Sequence, residues 1–284
     1  MSKEQYTRHN LTHNMLKKVL IRVDYNGVTN IENWVDTVKR DRRFNTVFNG
    51  YNQGYLNQAT FDLSKMEEVA RQRSMPMSAF SAAPLHRFFD SKFPGRQDKV
   101  TMEVASLFMT FQIDCIRYTT INDYFDFLTT YFNAFLQTDP YIKIERIGIR
   151  KISGGAFPSL PAMRETFEDR FFVGHQVDSD NTAMMDREYH DRYMKTFINV
   201  PHREKSVKAN YSTRCRQING ETPYQAILDI DGYVDSFIIN KDSLHFPADF
   251  RATLDRINDY MFELYKLSVT ENYLSQHVQQ QQQG

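Results

Sequence analysis

The stretch Arg146-Ile-Gly-Ile-Arg-Lys-Ile152 carries the most information about the fold of this chain. Its alternation predicts a β-strand, because successive side chains of a strand point to opposite faces. One face then carries Arg146, Gly148 and Arg150, and the other carries isoleucines and Lys151. The two guanidinium groups flank a residue without a side chain, so a carboxylate or a phosphate can approach the backbone between them.

Two interpretations of this arginine pair are open. In the first, Arg146, Gly148 and Arg150 form an anion- or partner-binding site on a sheet face. In the second, which we favour, both arginines pair with carboxylates on a helix that crosses the sheet, and Gly148 lets that helix come close. The candidate partners are Asp114, Asp123, Asp126, Asp229 and Asp231.

The composition is that of a globular protein with a large aromatic core. Of 284 residues, 41% are hydrophobic, and 22 Phe and 16 Tyr supply much area to bury. The net charge is zero, whereas a dedicated nucleic-acid binder usually has a basic excess. Two cysteines, Cys115 and Cys215, do not make a disulfide framework, and we expect them to be reduced.

The hydrophobic residues form no segment long enough to cross a membrane. No apolar run approaches the roughly 18 residues that a transmembrane helix needs. Residues 1–14 are polar and lack the apolar stretch of a signal peptide. We therefore expect a soluble, cytoplasmic protein that does not contact a membrane.

Hydrophobic periodicity predicts the elements of the first half, with Gly, Pro and Asn marking the breaks. Strands are predicted at residues 18–25, 83–93, 100–116 and 141–152. Helices are predicted at residues 29–42 and, after a cap at Thr120, through Phe135. Residues 44–80, rich in Asn, Gln, Ser and Met, predict a weak strand, a loop and a short helix at 65–73.

The second half is predicted to begin after Gly154-Gly155, which we expect to break the strand, and a linker-like segment at residues 158–161. Strands are predicted at residues 188–200, 204–217 and 224–236, and a long helix at 246–274. The final glutamine run predicts a disordered tail. The predicted division is an N-terminal α+β half, 1–155, a C-terminal α+β half, 156–276, and the tail, 277–284.

The two halves have a similar order of predicted elements. Each contains a strand, a polar link and an aromatic-rich helix, at residues 106–136 and 224–265. An internal duplication is one explanation of this pattern. The sequence thus predicts an α+β fold of two halves, each a curved antiparallel sheet packed against a long aromatic-rich helix.

A second candidate site is the pair Asp229 and Asp231, two carboxylates on one strand face. Such a pair can bind divalent metal, and two-metal nucleases use carboxylates in this way. No Glu or Lys follows at a spacing that would complete a nuclease site. We favour a solvated face or a surface that pairs with arginines.

The predicted strand at residues 204–217 has one basic face that could contact phosphates. The alternative is an ordinary exposed strand, on which lysines discourage aggregation. The basic residues on or beside this face are Arg203, Lys205, Lys208, Arg214 and Arg216.

No residues with the spacing of a known reaction centre are found. The eight histidines form no metal-ligand pattern with a Cys or a carboxylate, and the chain has no phosphate-binding glycine loop or nucleophile elbow. We therefore assign no catalytic residue and expect no cofactor.

Several separated features resemble one protein family. They are the early strand at residues 19–24, the helix around Tyr131 and Phe132, the Arg-Ile-Gly-Ile-Arg strand, and the ending Phe262-Glu-Leu-Tyr-Lys-Leu-Ser-Val-Thr-Glu271. Together they resemble a sporadically distributed family of uncharacterised bacterial proteins, which has a strand motif R-I-G-L-R-Y-I-N and a terminal Phe-Glu…Thr-(Asp/Glu) helix. This chain departs from the motif at Ile149, Lys151 and Ser153.

The resemblance implies a biological setting but no chemistry. The patchy distribution is typical of mobile genes, including phage-defence and toxin–antitoxin cargo. We expect a non-catalytic binding or assembly protein that associates with itself or with a protein encoded nearby. The alternatives are a weak nucleic-acid binder or divergent metal-dependent nuclease, and a sensor of an anionic small molecule held by the arginine pair.

Overall fold

The computed structural model describes residues 3–8, 10–11, 15–27, 31–59, 80–92, 98–116, 120–172, 194–200, 205–218, 221–235 and 246–277. The predicted helix at 65–73, the start of the predicted strand at 188–200, and all of the predicted tail except His277 lie outside these residues. None of the described helices is long and apolar enough to cross a membrane.

In the described part of the chain, nine strands form one sheet, and every neighbouring pair is antiparallel. Their order across the sheet is β2-β3-β4-β5-β1-β6-β9-β8-β7. The strands are β1 (Leu16–Tyr25), β2 (Gly50–Ala59), β3 (Phe80–Lys92), β4 (Lys99–Ala105), β5 (Phe108–Asp114), β6 (Ile144–Phe157), β7 (Met194–Val200), β8 (Lys205–Ile218) and β9 (Glu221–Val234).

The helices contact one face of this sheet, here called the helix face. A row of paired residues on that face includes Phe88, Phe111 and Ile149, all of them buried. The opposite face, here called the open face, carries the polar residues of the same strands. The helices are α1 (Ile31–Arg40), α2 (Arg42–Val47), α3 (Asn122–Leu136), α4 (Leu160–Thr166), α5 (Asp169–Phe172), α6 (Phe246–Ser268) and α7 (Glu271–Gln276), preceded by a short 3-10 helix, Lys3–Gln5.

Aromatic rings fill the space between the helices and the sheet. Phe44 of α2 lies 4.9 Å, centroid to centroid, from both Phe88 and Tyr131, so a helix, a strand and a second helix share one cluster. Phe132 of α3 stacks on Phe250 of α6 at 5.5 Å. This stacked pair joins the helices of the two halves. The α+β prediction, with an antiparallel sheet packed against aromatic-rich helices, is confirmed.

The order of elements repeats along the chain. The first half runs β1, two short helices, an antiparallel meander and α3, and the second runs β6, two short helices, a meander and α6. In each half the first strand pairs with the last strand of the meander, β1 with β5 and β6 with β9. The pairing of β1 with β6 then joins both halves into one sheet.

The predicted break at Gly154-Gly155 does not occur, because β6 continues to Phe157. The predicted boundary between 155 and 156 therefore falls inside a strand, and the repeat of elements begins at β6 instead. Gly154 lies in close contact with β9, because a Cβ at this position would be 2.2 Å from the carbonyl oxygen of Ala226. The glycine lets the two strands approach.

The linker predicted at residues 158–161 is the start of a helix. The Oγ of Ser159 accepts a hydrogen bond from the amide of Ala162 at 3.3 Å, and Pro161 lies in the first turn of α4. Serine caps and early prolines are typical of helix starts, so these residues begin an element rather than a linker.

Two long predicted elements are each divided in the structure. The strand predicted at 100–116 is the hairpin β4–β5, whose turn bonds to β1 through the amide of Tyr25 and the carbonyl of Leu107 at 3.0 Å. No Gly or Pro marks this turn. The helix predicted at 246–274 ends at Ser268, and Thr270 caps α7 by accepting a bond from the Tyr273 amide at 3.1 Å.

Candidate binding surface on the open sheet face

The arginine strand is β6, at the centre of the sheet, and its two faces have different environments. Ile147 and Ile149 are buried on the helix face. Lys151 is also on that face and donates a hydrogen bond to Asn258 of α6. Arg146, Gly148 and Arg150 therefore lie together on the open face, as the alternation predicts.

Arg146 is held by contacts from three directions. Its Nη2 lies 2.8 Å from Oδ2 of Asp231 on β9, and its Nη1 lies 3.7 Å from Oδ2 of Asp24 on β1. Its guanidinium carbon also lies 4.2 Å from the centroid of the Tyr233 ring. Two carboxylates and an aromatic face fix the orientation of this cation.

Arg150 forms a two-pronged pair with Asp229. Its Nε and Nη2 donate to the two carboxylate oxygens at 2.9 and 2.5 Å. Bidentate geometry of this kind is the strongest that a guanidinium and a carboxylate can form. The Arg150 side chain is 48% exposed and that of Asp229 is 14% exposed, so the pair lies at the protein surface with its carboxylate partly buried.

The predicted helix partners of the arginines are replaced by strand partners. Both carboxylates, Asp229 and Asp231, belong to β9, which lies beside β6 in the sheet. The group that packs closely against Gly148 is the side chain of Tyr233 and not a helix, since a Cβ at position 148 would lie 3.2 Å from the Cβ of Tyr233. The glycine thus leaves room for the ring on which Arg146 stacks.

Two residues of the neighbouring strand β1 also take part in these contacts. Arg22 on β1 bonds to Asp24 at 2.7 Å and lies 4.2 Å from the ring centroid of Phe108. Asp24 is therefore shared between Arg22 and Arg146. We call six residues of β1, β6 and β9 the charge network. Four of them are linked in a chain, Arg22, Asp24, Arg146 and Asp231, and the other two are the pair Arg150 and Asp229.

Three members of this surface, Arg22, Asp24 and Tyr233, were not predicted from the sequence. Tyr233 follows Asp229 and Asp231 at a spacing of two, so alternation along β9 could have placed it on their face. Arg22 and Asp24 stand opposite Gly148 and Arg146 in the β1–β6 pairing. Only knowledge of the strand order brings them to the site.

The basic strand β8 has the predicted alternation, and both of its cations whose side chains the structure describes have interaction partners. Val207, Ala209 and Tyr211 are buried on the helix face. Lys208, on the open face, bonds to Asp235 at 2.5 Å. Arg214 is half-buried and also has an interaction partner. Arg203 lies outside the described residues, as do the side chains of Lys205 and Arg216.

The pair Asp229 and Asp231 faces two arginines rather than an empty space. Each carboxylate accepts from a guanidinium, so a divalent ion would have to compete with an existing cation for the same oxygens. Within the described ranges, no group of three or more His, Cys, Asp or Glu residues could hold a metal.

Lys151, in the middle of β6 on the helix face, has a shifted pKa. Burial and the positive charge of Arg8 lower the pKa of Lys151 to about 8. Burial is also the main cause that raises the pKa of the Cys115 thiol to about 12. A thiol with a raised pKa is a poor nucleophile, so Cys115 is suited to packing rather than to catalysis.

Comparison with known proteins assigns no family to the chain. No protein-family model matches the sequence, and no curated protein matches it.

Proposed function

We propose that this chain is a non-catalytic binding protein that uses the open face of its sheet to dock a partner protein. The single observation that supports this proposal best is the environment of Arg146, between Asp231, Asp24 and the ring of Tyr233. An arginine stacked on a tyrosine at the centre of the charge network is the composition of an interface hot spot.

The charge network favours a folded protein surface as the ligand. Its side chains are already oriented by one another, so little rotamer freedom remains to be lost on binding. Both signs of charge alternate across β1, β6 and β9, which suits a partner with a complementary mixture of charges. Complementary charges give register and specificity more than affinity.

The same network disfavours phosphate ligands. A nucleic acid or an anionic small molecule would have to displace Asp229 or Asp231 from the arginines before it could bind them. The total charge of zero also gives no general attraction for a polyanion. For these reasons the nucleic-acid, nuclease and anion-sensor alternatives rank below protein docking.

The biological setting is part of the proposal. We place the protein in the bacterial cytoplasm as a subunit or accessory protein of a multi-gene system of the phage-defence or toxin–antitoxin kind. This setting is supported by the resemblance of the strand and terminal-helix motifs. The expected partner is the product of a neighbouring gene.

Direct binding to purified products of the neighbouring genes tests the proposal. We expect one of them to bind the wild-type protein, and Arg146→Ala and Tyr233→Ala to weaken that binding roughly tenfold or more, because hot-spot truncations cost at least about 1–2 kcal/mol. Arg42→Ala, which removes an exposed arginine of α2, is the matched control and should bind as the wild type does. Binding that is equally strong in all three variants would refute docking on the open face.

A further inference from the structure

The outermost strand at one end of the sheet, β2, is an edge with few of the usual protections. Within the described residues it pairs with β3 and with no other strand. The other side of an edge strand presents amide and carbonyl groups that can pair with another chain.

The sequence of β2 is Gly-Tyr-Asn-Gln-Gly-Tyr-Leu-Asn-Gln-Ala. Its ten residues include no Lys, Arg, Asp, Glu or Pro, and its pairing with β3 runs without a bulge. Natural edge strands usually carry charges, prolines or bulges, or are very short, to prevent pairing with other chains. At the opposite end of the sheet β7 has seven residues and carries Lys195.

We propose that β2 pairs antiparallel with β2 of a second copy of this chain, across a two-fold axis perpendicular to the sheet. Such an axis makes the interface self-complementary, with the same strand contributed by both partners. The sheets of the two copies then become one continuous sheet.

The chemistry of β2 fits a second copy in particular. In a two-fold pair each residue faces another residue of the same strand, and like charges directly opposite would be destabilising. Because β2 carries no charge, every register places a neutral residue opposite a neutral residue. Tyr55 is 70% exposed, and nothing lies within 4 Å of a Cβ built on Gly54, so the strand has an aromatic group and open space for cross-strand contact.

The dimer would also arrange the binding surface. An axis perpendicular to the sheet keeps both open faces on one side, so the two charge networks point in the same direction. A dimeric partner could then engage both at once, which raises avidity without new contacts. The pairing of β2 itself does not depend on the charge network, so the dimer can fail while the docking proposal stands.

Sedimentation velocity on the full chain tests the dimer. The wild type should sediment at twice the 33.6 kDa mass of one chain. The double variants Gln53→Lys/Tyr55→Lys and Gln53→Glu/Tyr55→Glu should each be monomeric, since both altered side chains are exposed and would meet their own charge. An equimolar mixture of the two should recover the dimer. Asn33→Lys/Thr37→Lys, on the exposed side of α1, is the matched control and should stay dimeric.

A monomeric wild type, or charged variants that remain dimeric, would overturn the proposal. A second measurement uses the wild type alone and tests the β2-paired dimer even if the charged variants fail to fold. Hydrogen exchange of the wild-type β2 amides should slow as protein concentration rises. Exchange of those amides that is independent of concentration would also overturn it.

Discussion

Arg150 and Asp229 face each other across β6 and β9 and share two hydrogen bonds, from Nε at 2.9 Å and from Nη2 at 2.5 Å. The residues are 79 positions apart in the chain. The pair belongs to the open face, on which ion pairs run from strand to strand across the centre of the sheet. These contacts fix the orientation of the charged side chains on this surface.

The Arg150–Asp229 pair should stabilise the protein modestly. Arg150→Ala and Asp229→Ala should each lower the free energy of unfolding by about 0.5–1.5 kcal/mol, because the pair is partly exposed but bidentate. The double variant should cost less than the sum of the two, which a double-mutant cycle in urea measures. Arg42→Ala should leave the free energy of unfolding unchanged. Strictly additive losses would show that the two side chains do not interact in solution.

The purified protein should not cleave DNA or RNA with Mg²⁺ or Mn²⁺. Two-metal hydrolysis needs carboxylates that are available to the ions, whereas Asp229 and Asp231 already accept from guanidinium groups. Asp229→Asn should therefore alter stability rather than any cleavage. Metal-dependent cleavage by the wild type that disappears in Asp229→Asn would instead support the nuclease alternative.

Lys151 should make stability rise with pH above about 8. Its pKa is about 8 in the folded protein and roughly 10.4 in an unfolded chain. Between these values the unfolded state holds a proton that the folded state lacks, so raising the pH favours folding. The free energy of unfolding of Lys151→Met should exceed that of the wild type most below pH 8, by at most ~3 kcal/mol. This difference should shrink towards pH 10.

Unfolding in urea at several pH values between 7 and 10 measures this trend. Lys17→Met, which replaces an exposed lysine of β1 and keeps Lys151, is the control, and its stability should rise with pH as that of the wild type does. A constant difference between Lys151→Met and the wild type over this range would show that Lys151 titrates normally.

Gly154→Ala should destabilise the fold much more than Gly54→Ala. The added methyl group at 154 would lie 2.2 Å from the Ala226 carbonyl, whereas at Gly54 it would meet no atom within 4 Å. Overpacking of this kind costs about 1–3 kcal/mol. Thermal unfolding of the two variants gives the comparison, and equal melting temperatures would mean that β6 and β9 separate at this position without cost.

The sequence by itself determined the local features of this protein. Alternation predicted that Arg146 and Arg150 share a strand face, and hydrophobic periodicity predicted the helix that α3 forms. It also predicted which face of β8 is buried. These features follow from the periods of strands and helices, which are properties of neighbouring residues.

The tertiary structure decided which strands are neighbours, and hence the composition of the candidate binding surface. Arg146 pairs with Asp231, 85 residues away, because β6 lies between β1 and β9. Alternation gives a residue its face but not its partner across the sheet, since the register of distant strands depends on how whole elements pack. The pairing of Arg146 with strand carboxylates, its stacking on Tyr233 and the position of β2 at the edge all result from that packing.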